Sequence, residues 1–243
     1  LTLASSVLFP LALPNELFHL GSPLLGLIAL APYYLALSRT PRARDAARLG
    51  ALFGAVSTVI GNYWLMFFQD YSIWTIGGTT LGYVAYNYVL AGFLSRALRE
   101  PRAFRPILFA LVWTLYEYLK SIGFLAYPWG LAAYPFNDLV IFTQIADVTG
   151  IWALTLIAVY VNATIAESLL SSRGRHAARN GAIALVLIAT TALYGWFALR
   201  RDIPITETID LVMVQQNADS WNTRNRDRAL LTAQQETLEA LAE

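Results

Sequence analysis

Cysteine is absent from the 243 residues of the chain, and histidine occurs only twice. Without cysteine, these residues can form no disulfide, no thiolate metal site and no thiol nucleophile. The two histidines, His19 and His176, fall in or beside loops that are distant from each other in the topology derived below. We therefore expect no metal centre and no cofactor within this chain.

Charged side chains are also scarce. They make up 14% of the chain, whereas hydrophobic residues make up 57% and the mean hydropathy is +0.50. Ordinary soluble domains are about a quarter charged. This balance predicts an integral membrane protein. The net charge of +1 conceals an uneven distribution of the basic residues along the chain.

Arginine is concentrated in three short segments, each of which separates apolar runs of about twenty residues, the length that crosses a bilayer. The connections between these segments, at about 13–22, 69–78 and 125–138, contain no arginine or lysine. Cytoplasmic loops carry an excess of basic residues, so this alternation places the basic segments inside and the neutral connections outside. Each cluster abuts a span, and a nucleic-acid partner is not expected. The arginines are Arg39, Arg42, Arg44 and Arg48; Arg96, Arg99, Arg102 and Arg105; and Arg173, Arg175 and Arg179.

The apolar runs predict a mainly α-helical, polytopic bundle of about seven spans over residues 1–201. With the basic segments inside, everything after Arg201 becomes extracytoplasmic. Asn62 and Asn162 fall within or at the end of spans, where an amide is expected to hydrogen-bond a neighbouring helix. The predicted spans are 1–13, 23–38, 49–68, 76–95, 104–124, 148–170 and 181–199.

Residues 202–243 have the composition of a soluble region. A short β-branched run at 208–215 predicts a buried strand, and leucines on one stripe at 222–243 predict an amphipathic helix. One strand and one helix bury too little apolar surface to fold alone. We therefore expect this domain to continue beyond Glu243, and Leu1 to be an internal position rather than the start of a signal peptide.

Four stretches of the chain resemble the bacterial apolipoprotein N-acyltransferase family, whose members join a membrane helix bundle to an extracytoplasmic nitrilase-like α-β-β-α domain. The resemblance covers almost the whole chain, and the four stretches occur in the family's order. They are Gly61-Asn62-Tyr63-Trp64-Leu65; Trp113 and Glu117 followed by Tyr127-Pro128-Trp129 and Tyr134; Gly150-Ile151-Trp152-Ala153-Leu154 leading to Asn162; and Val212-Met213-Val214-Gln215-Gln216-Asn217 followed by Trp221.

The resemblance implies acyl transfer from a phospholipid, through a cysteine thioester, to the N-terminal amine of diacylglyceryl-cysteine on an apolipoprotein. It implies a bacterial plasma (inner) membrane location, with the residues after about 201 outside the cytoplasm. In the family a glutamate base, an oxyanion-stabilising lysine and a nucleophilic cysteine all come from later in the nitrilase-like domain. This chain is expected to contain none of these catalytic residues, and to be inactive alone although the intact protein is an enzyme.

Five residues are candidate substrate contacts, and each has a structural alternative. Glu117 either contributes to a lipid-substrate cavity or belongs to a polar network of the bundle, with Lys120 at i,i+3 as a local partner. Trp129 either lines the access of lipid or anchors its helix at the interface, and the same interfacial alternative applies to Tyr127 and Tyr134. Trp221 either contacts an acyl chain or packs its own loop.

Two other functions remain open from the sequence. A transporter or channel subunit would need charged or broken helices around a midplane site, yet few ionisable residues intrude on the spans. A catalytically silent homologue that only binds lipids or lipoproteins is compatible with every residue up to 243.

Overall fold

A computed structural model describes residues 1–67, 73–123, 126–170, 174–202, 211–215 and 226–241. The chain divides into two compact units, Leu1–Arg201 and Asp202–Glu243. All regular secondary structure in the described ranges is helical. Residues 211–215 belong to the predicted strand but have no regular structure, and 208–210 lie outside the described residues.

Within the described ranges the first unit contains ten α-helices, and the second contains one. Two 3-10 turns, Tyr63–Phe67 and Tyr134–Phe136, lie in the connections of the first unit. The predicted amphipathic helix of the second unit is present as α11. The helices are α1 (Thr2–Ala12), α2 (Pro23–Gly26), α3 (Ala31–Ser38), α4 (Ala43–Gly61), α5 (Ile73–Ala97), α6 (Arg105–Lys120), α7 (Val140–Thr143), α8 (Ala146–Thr149), α9 (Trp152–Leu170), α10 (Arg175–Leu199) and α11 (Arg226–Leu241).

Within the described ranges, α9 and α10 are the two helices long and apolar enough to cross a membrane. Two of the predicted spans are divided in the structure. The run at 23–38 forms α2 and α3 with a break at 27–30, and the run at 148–170 is interrupted at Gly150, whose φ of 59° lies in the left-handed region. Apolar composition continues through both breaks, so hydropathy alone did not reveal them.

Asn162 of α9 fills the break between α2 and α3. Its Oδ1 accepts a hydrogen bond from the backbone N–H of Leu30 at 2.8 Å, and its Nδ2 donates to the carbonyl of Gly26 at 2.7 Å. Backbone groups freed by a helix break must find partners in an apolar interior. The expectation that the Asn162 amide hydrogen-bonds a neighbouring helix is confirmed. Its partners are the backbone groups that the break between α2 and α3 leaves free.

The centre of the first unit is an aromatic cluster between α1, α3, α4 and α6. Neighbouring ring centroids lie 4.6 to 6.5 Å apart, at stacked, tilted and edge-to-face angles that aromatic pairs favour. Helices α4 and α5 approach closely beside it, because glycines of α4 face the α5 backbone. The rings are those of Phe9, Tyr33, Phe53, Phe109 and Trp113.

The arginine-rich segments meet at one end of the first unit, which we call the basic end. Arg99 donates to the carbonyl of Pro41 at 3.3 Å, and Arg179 donates to that of Ala103. Two of the neutral connections, 13–22 and 125–138, meet at the opposite end, where Gly21 packs near Pro135, and both bond the end of α4, since Tyr63 donates to Glu16 and Tyr127 to Asn62. The fold therefore separates the two kinds of connection that the sequence distinguished by charge.

Candidate functional site

A cavity of about 840 Å³ lies in the first unit, at the end away from the basic segments. Its mouth is formed by exposed residues, among them Glu16, Leu17 and Tyr63, and its inner part by the rings of Phe53 and Trp113. The wall from α1 and α4 is mainly apolar, with Ser57 and Thr58 as its polar residues. The facing wall, from α5, α6 and the connection after α6, carries the polar groups Asn87, Tyr116, Glu117, Lys120 and Tyr134.

Glu117 is fully buried on α6, and three donors from three parts of the chain bind its carboxylate. Oε1 accepts from the indole N–H of Trp113 and from the backbone N–H of Ala132, and Oε2 accepts from the hydroxyl of Thr155, each at 2.9 Å. A buried carboxylate needs such donors because burial removes its hydration. The carboxylate thus joins α6 to α9 and to the connection that follows α6.

Lys120, at the end of α6, is also buried. Its Nζ donates to the carbonyl of Trp129 at 3.0 Å and to that of Gly130 at 3.4 Å. It also lies 5.5 Å from the ring centroid of Tyr83 and 5.6 Å from that of Tyr116, within the range of cation–π attraction. Among the described residues no salt bridge joins Lys120 to Glu117. The two side chains attract each other as opposite charges, so the local pairing is electrostatic and the hydrogen bonds of Lys120 go to the backbone.

Residues 127–134 form part of the cavity wall, and we call them the wall segment. Gly130 has a φ of 66°, a left-handed conformation that glycine adopts without strain. The backbone N–H of Tyr127 donates to the carbonyl of Lys120 at 2.9 Å, and the Tyr134 hydroxyl donates to the carbonyl of Pro128 at 2.8 Å. The segment is therefore fixed to the end of α6 and to itself.

Tyr127 braces the wall segment against α4 and α5. Its hydroxyl donates to Asn62 Oδ1 at 2.7 Å, while its carbonyl accepts from the Tyr83 hydroxyl at 3.3 Å. Burial raises the pKa of Tyr127 to about 12, so its phenol remains a donor at neutral pH. Burial, with a smaller contribution from the negative charge of Glu117, also raises the pKa of Tyr134.

Trp129 is the most exposed ring of the wall segment, with 47% of its surface accessible. It packs edge to face against Tyr127 and Trp64, both at 6.1 Å between centroids. The structure therefore brings Glu117, Trp129 and Tyr134 to one cavity and places Tyr127 directly behind them. The remaining candidate, Trp221, lies outside the described residues.

Asn87 is a cavity residue that the sequence reasoning missed. It is 2% exposed, and its Nδ2 donates to the carbonyl of Tyr83 at 2.9 Å and contacts the Tyr116 hydroxyl at 3.4 Å. Its Oδ1 has no hydrogen-bond partner among the described residues. Its position inside an apolar run could have identified Asn87 from the sequence, because the same feature drew attention to Asn62 and Asn162.

Metal-binding side chains do not cluster in this cavity. Across the ranges that the structure describes, no three histidine, aspartate or glutamate side chains lie close enough together to hold a metal ion. The polar wall instead offers two opposite charges, amide groups and phenols beside a large apolar surface. Such a combination suits an amphiphilic organic molecule.

A helical, membrane-type domain with a cavity at one end is the class of protein that this fold and site define. Residues 5–164 match the family model described as the apolipoprotein N-acyltransferase N-terminal domain. All the cavity residues, from Phe9 to Tyr134, fall within that match. The chain belongs to the apolipoprotein N-acyltransferase family.

Similar proteins are found among spirochaetes. The chain is 37% identical to apolipoprotein N-acyltransferase 2 of Treponema pallidum, over 95% of this chain and 42% of the relative. It is 32% identical to apolipoprotein N-acyltransferase 2 of Treponema denticola, over 95% of this chain and 46% of the relative. Identity to the apolipoprotein N-acyltransferase of Borreliella burgdorferi is 29%, over 98% and 46% respectively. The chain thus spans less than half the length of these relatives.

Proposed function

We propose that the protein to which these residues belong is an apolipoprotein N-acyltransferase of the bacterial plasma membrane. It transfers an acyl chain from a phospholipid to the N-terminal amine of diacylglyceryl-cysteine on apolipoproteins. The observation that carries this proposal is the family match over residues 5–164, which contains every residue of the cavity. The names of the similar spirochaete proteins support the same activity.

We assign the two parts of the chain different tasks. Residues 1–201 are the membrane module, with about seven crossings if α2 with α3 and α8 with α9 each count as one interrupted span. Residues 202–243 are the beginning of an extracytoplasmic nitrilase-like domain. The chain has no cysteine, so the nucleophile and its glutamate and lysine partners are assigned to residues outside these 243.

The reaction proceeds in two steps. The cysteine thiolate attacks an ester carbonyl of the phospholipid, and the ester C–O bond breaks to release a lysophospholipid as a thioester forms. The amine of the diacylglyceryl-cysteine then attacks the thioester carbonyl, which forms the amide and returns the thiol. Both substrates are anchored in the membrane by hydrocarbon chains, so a membrane module that restricts their positions lowers the entropic barrier of each step.

The cavity suits this task by size and chemistry. Ligand sites commonly enclose about 300–1,000 Å³ and are mainly apolar with a few fixed polar groups. The apolar wall can remove a hydrocarbon chain from water, and the polar wall can accommodate ester and headgroup atoms. We propose that Trp129 and Tyr134 contact the lipid substrate, that Tyr127 contributes to this contact by packing against Trp129, and that Trp221 contacts an acyl chain. Glu117 borders the same cavity.

Complementation tests this function. The intact protein is expressed in a bacterium whose own N-acyltransferase is depleted, and the N-terminus of a lipoprotein is analysed by mass spectrometry. We expect the added acyl chain to reappear with the wild-type protein. Trp129→Ala should reduce its amount, whereas Trp196→Ala, a change on exposed α10, should not. A lipoprotein that remains diacylated despite normal protein levels, while lipid still binds, identifies a silent homologue instead.

A further inference from the structure

We propose that Glu117 and Lys120 are a pair of positioning residues that together fix the wall segment of the cavity through its backbone. Neither side chain is assigned a contact with substrate. Glu117 holds the segment through an N–H group, and Lys120 holds it through carbonyl oxygens. The consequence for catalysis rests on the proposed function, whereas the clamp itself rests on contacts within residues 113–155.

The ammonium of Lys120 is directed at the first half of the segment. It reaches the carbonyls of two successive residues, Trp129 and Gly130, at 3.0 and 3.4 Å. An ammonium group has three N–H donors, and two are used here. The rings of Tyr83 and Tyr116 flank the same group and hold it in place. Lys120 therefore donates its hydrogen bonds to the backbone at Trp129 and Gly130.

The carboxylate of Glu117 is directed at the second half of the segment. It accepts a hydrogen bond from the backbone N–H of Ala132, which joins α6 to the wall segment. Ala132 itself is only 4% exposed. The donors from Trp113 and Thr155 orient the same carboxylate from α6 and α9. Displacement of the segment would remove one of the two donors to Oε1 and would leave the buried Ala132 N–H without its acceptor.

Each of the two opposite charges faces backbone groups of the wall segment, and the charges attract each other without a direct salt bridge. Carbonyl oxygens of Trp129 and Gly130 face the cation, and the N–H of Ala132 faces the anion. The left-handed φ of Gly130 lies between these contacts, where the chain must turn. The peptide dipoles of the segment thus run between the two charges, which lie one helical turn apart on α6.

Two substitutions at each residue, one that keeps hydrogen bonding and one that removes it, separate a positioning role from direct participation in the reaction. In Glu117→Gln the amide oxygen can still accept from Trp113 and Ala132, and the amide NH₂ can donate to the Thr155 hydroxyl. Glu117→Leu removes all three bonds at similar volume. Lys120→Arg keeps donors for adjacent carbonyls, whereas Lys120→Met keeps the apolar stem without donors.

The experiment uses the full-length protein in detergent with phospholipid as the acyl donor. Hydrogen–deuterium exchange measures the peptide covering 127–136, with peptides of α9 and α10 as internal references. Kinetics measure the KM for phospholipid during thioester formation and, separately, the transfer rate from preformed thioester. Positioning predicts that Glu117→Leu and Lys120→Met accelerate exchange of the wall segment by about tenfold without changing the references. It also predicts a KM raised by about tenfold with a transfer rate within about twofold.

The conservative variants decide the outcome. Glu117→Gln and Lys120→Arg should retain slow exchange and a KM near that of the wild type. If either is as impaired as its apolar counterpart, or if exchange accelerates equally in α9 and α10, the positioning proposal is overturned. If the wild-type protein is inactive while the exchange pattern is as predicted, the proposed function fails and the clamp stands.

Discussion

Asn162 and Leu30, which are 132 positions apart in the sequence, are joined by a hydrogen bond of 2.8 Å from the Leu30 N–H to Asn162 Oδ1. The same amide binds the carbonyls of Gly26 and Ala158. Gly26 in turn packs against the turn at Tyr134–Phe136, where an added Cβ would lie 2.8 Å from Pro135. Asn162 therefore connects α9, through a broken helix, to the turn that begins at Tyr134.

Replacing Asn162 by leucine should destabilise the first unit by about 2 kcal/mol, because the Leu30 N–H and the Gly26 carbonyl lose a buried partner. Denaturation in mixed micelles, followed by circular dichroism, measures the change. Thr190→Val is the matched control, since the Thr190 hydroxyl is exposed and bonds only carbonyls of its own helix. Equal losses in the two variants would contradict the capping role.

Two glycines in helices make opposite predictions when replaced by alanine. A Cβ at Gly50 of α4 would collide with the carbonyl of Asn87 on α5, whereas a Cβ at Gly92 would meet nothing within 4 Å. Gly50→Ala should therefore cost about 1–3 kcal/mol through forced separation of α4 and α5. Gly92→Ala should stabilise α5 by up to about 1 kcal/mol. The same denaturation measurement compares them, and an unaffected Gly50→Ala variant would exclude close packing there.

The sequence was most informative about the two ends of the helical unit. Arginine placement predicted which connections belong together, and the contact of Arg99 with Pro41 joins two of the basic segments, while that of Tyr127 with Asn62 joins a neutral connection to the end of α4. The latter bond also links two of the stretches that carry the family resemblance. Charge and motif patterns are informative here because they indicate at which end of the unit a connection lies, and this placement does not depend on how the helices pack.

The sequence was less informative about the interior, for a physical reason. The break at 27–30 is apolar throughout, and the amide that permits it comes from α9. Similarly, the i,i+3 rule paired Glu117 with Lys120 because it considers one helix, whereas the wall segment folds back and offers both side chains backbone partners. The hydrogen-bond partners of buried polar groups are often distant in the sequence, so the spacing of residues along one helix cannot identify these partners.

The hydrogen bond between Tyr63 and Glu16 at the cavity mouth should be sensitive to pH. The Tyr63 hydroxyl donates to the carboxylate and lowers the pKa of Glu16 below its ordinary value. A lowered pKa means that the bond stabilises the fold above the ordinary pKa and that this contribution is lost as pH falls through the lowered value. Wild type should therefore unfold at higher temperature than Tyr63→Phe at about pH 7, and the difference should become smaller toward about pH 3.

Tyr88→Phe provides the control for this pH dependence. Tyr88 is exposed on α5, and its hydroxyl makes no hydrogen bond with any described residue, so the substitution should not alter the unfolding temperature at either pH. A Tyr63→Phe difference that stays constant between the two pH values would show that Glu16 is not its partner.

Glu167 at the basic end should depend more on Tyr34 than on arginine. The buried Tyr34 hydroxyl donates to its Oε2 at 2.6 Å, whereas Arg102 Nε, on a half-exposed side chain, lies 3.7 Å from Oε1. Tyr34→Phe should cost about 1–3 kcal/mol by leaving a buried carboxylate oxygen without its donor. Arg102→Gln should cost less than about 1 kcal/mol. A larger effect of Arg102→Gln in the denaturation measurement would reverse this ranking.

Reporter fusions test the topology on which the acyl-transfer proposal depends. Because basic connections stay in the cytoplasm, green fluorescent protein fused after Glu100 should fluoresce, and alkaline phosphatase fused there should be inactive. Fusions after Asp138 and after Asp202 should show the opposite pattern. Both lipid substrates are proposed to be used at the outer leaflet, so a polar region exported after Asp202 can meet them there. Fluorescence of the Asp202 fusion would place that region on the wrong side of the membrane and would rule out this assignment.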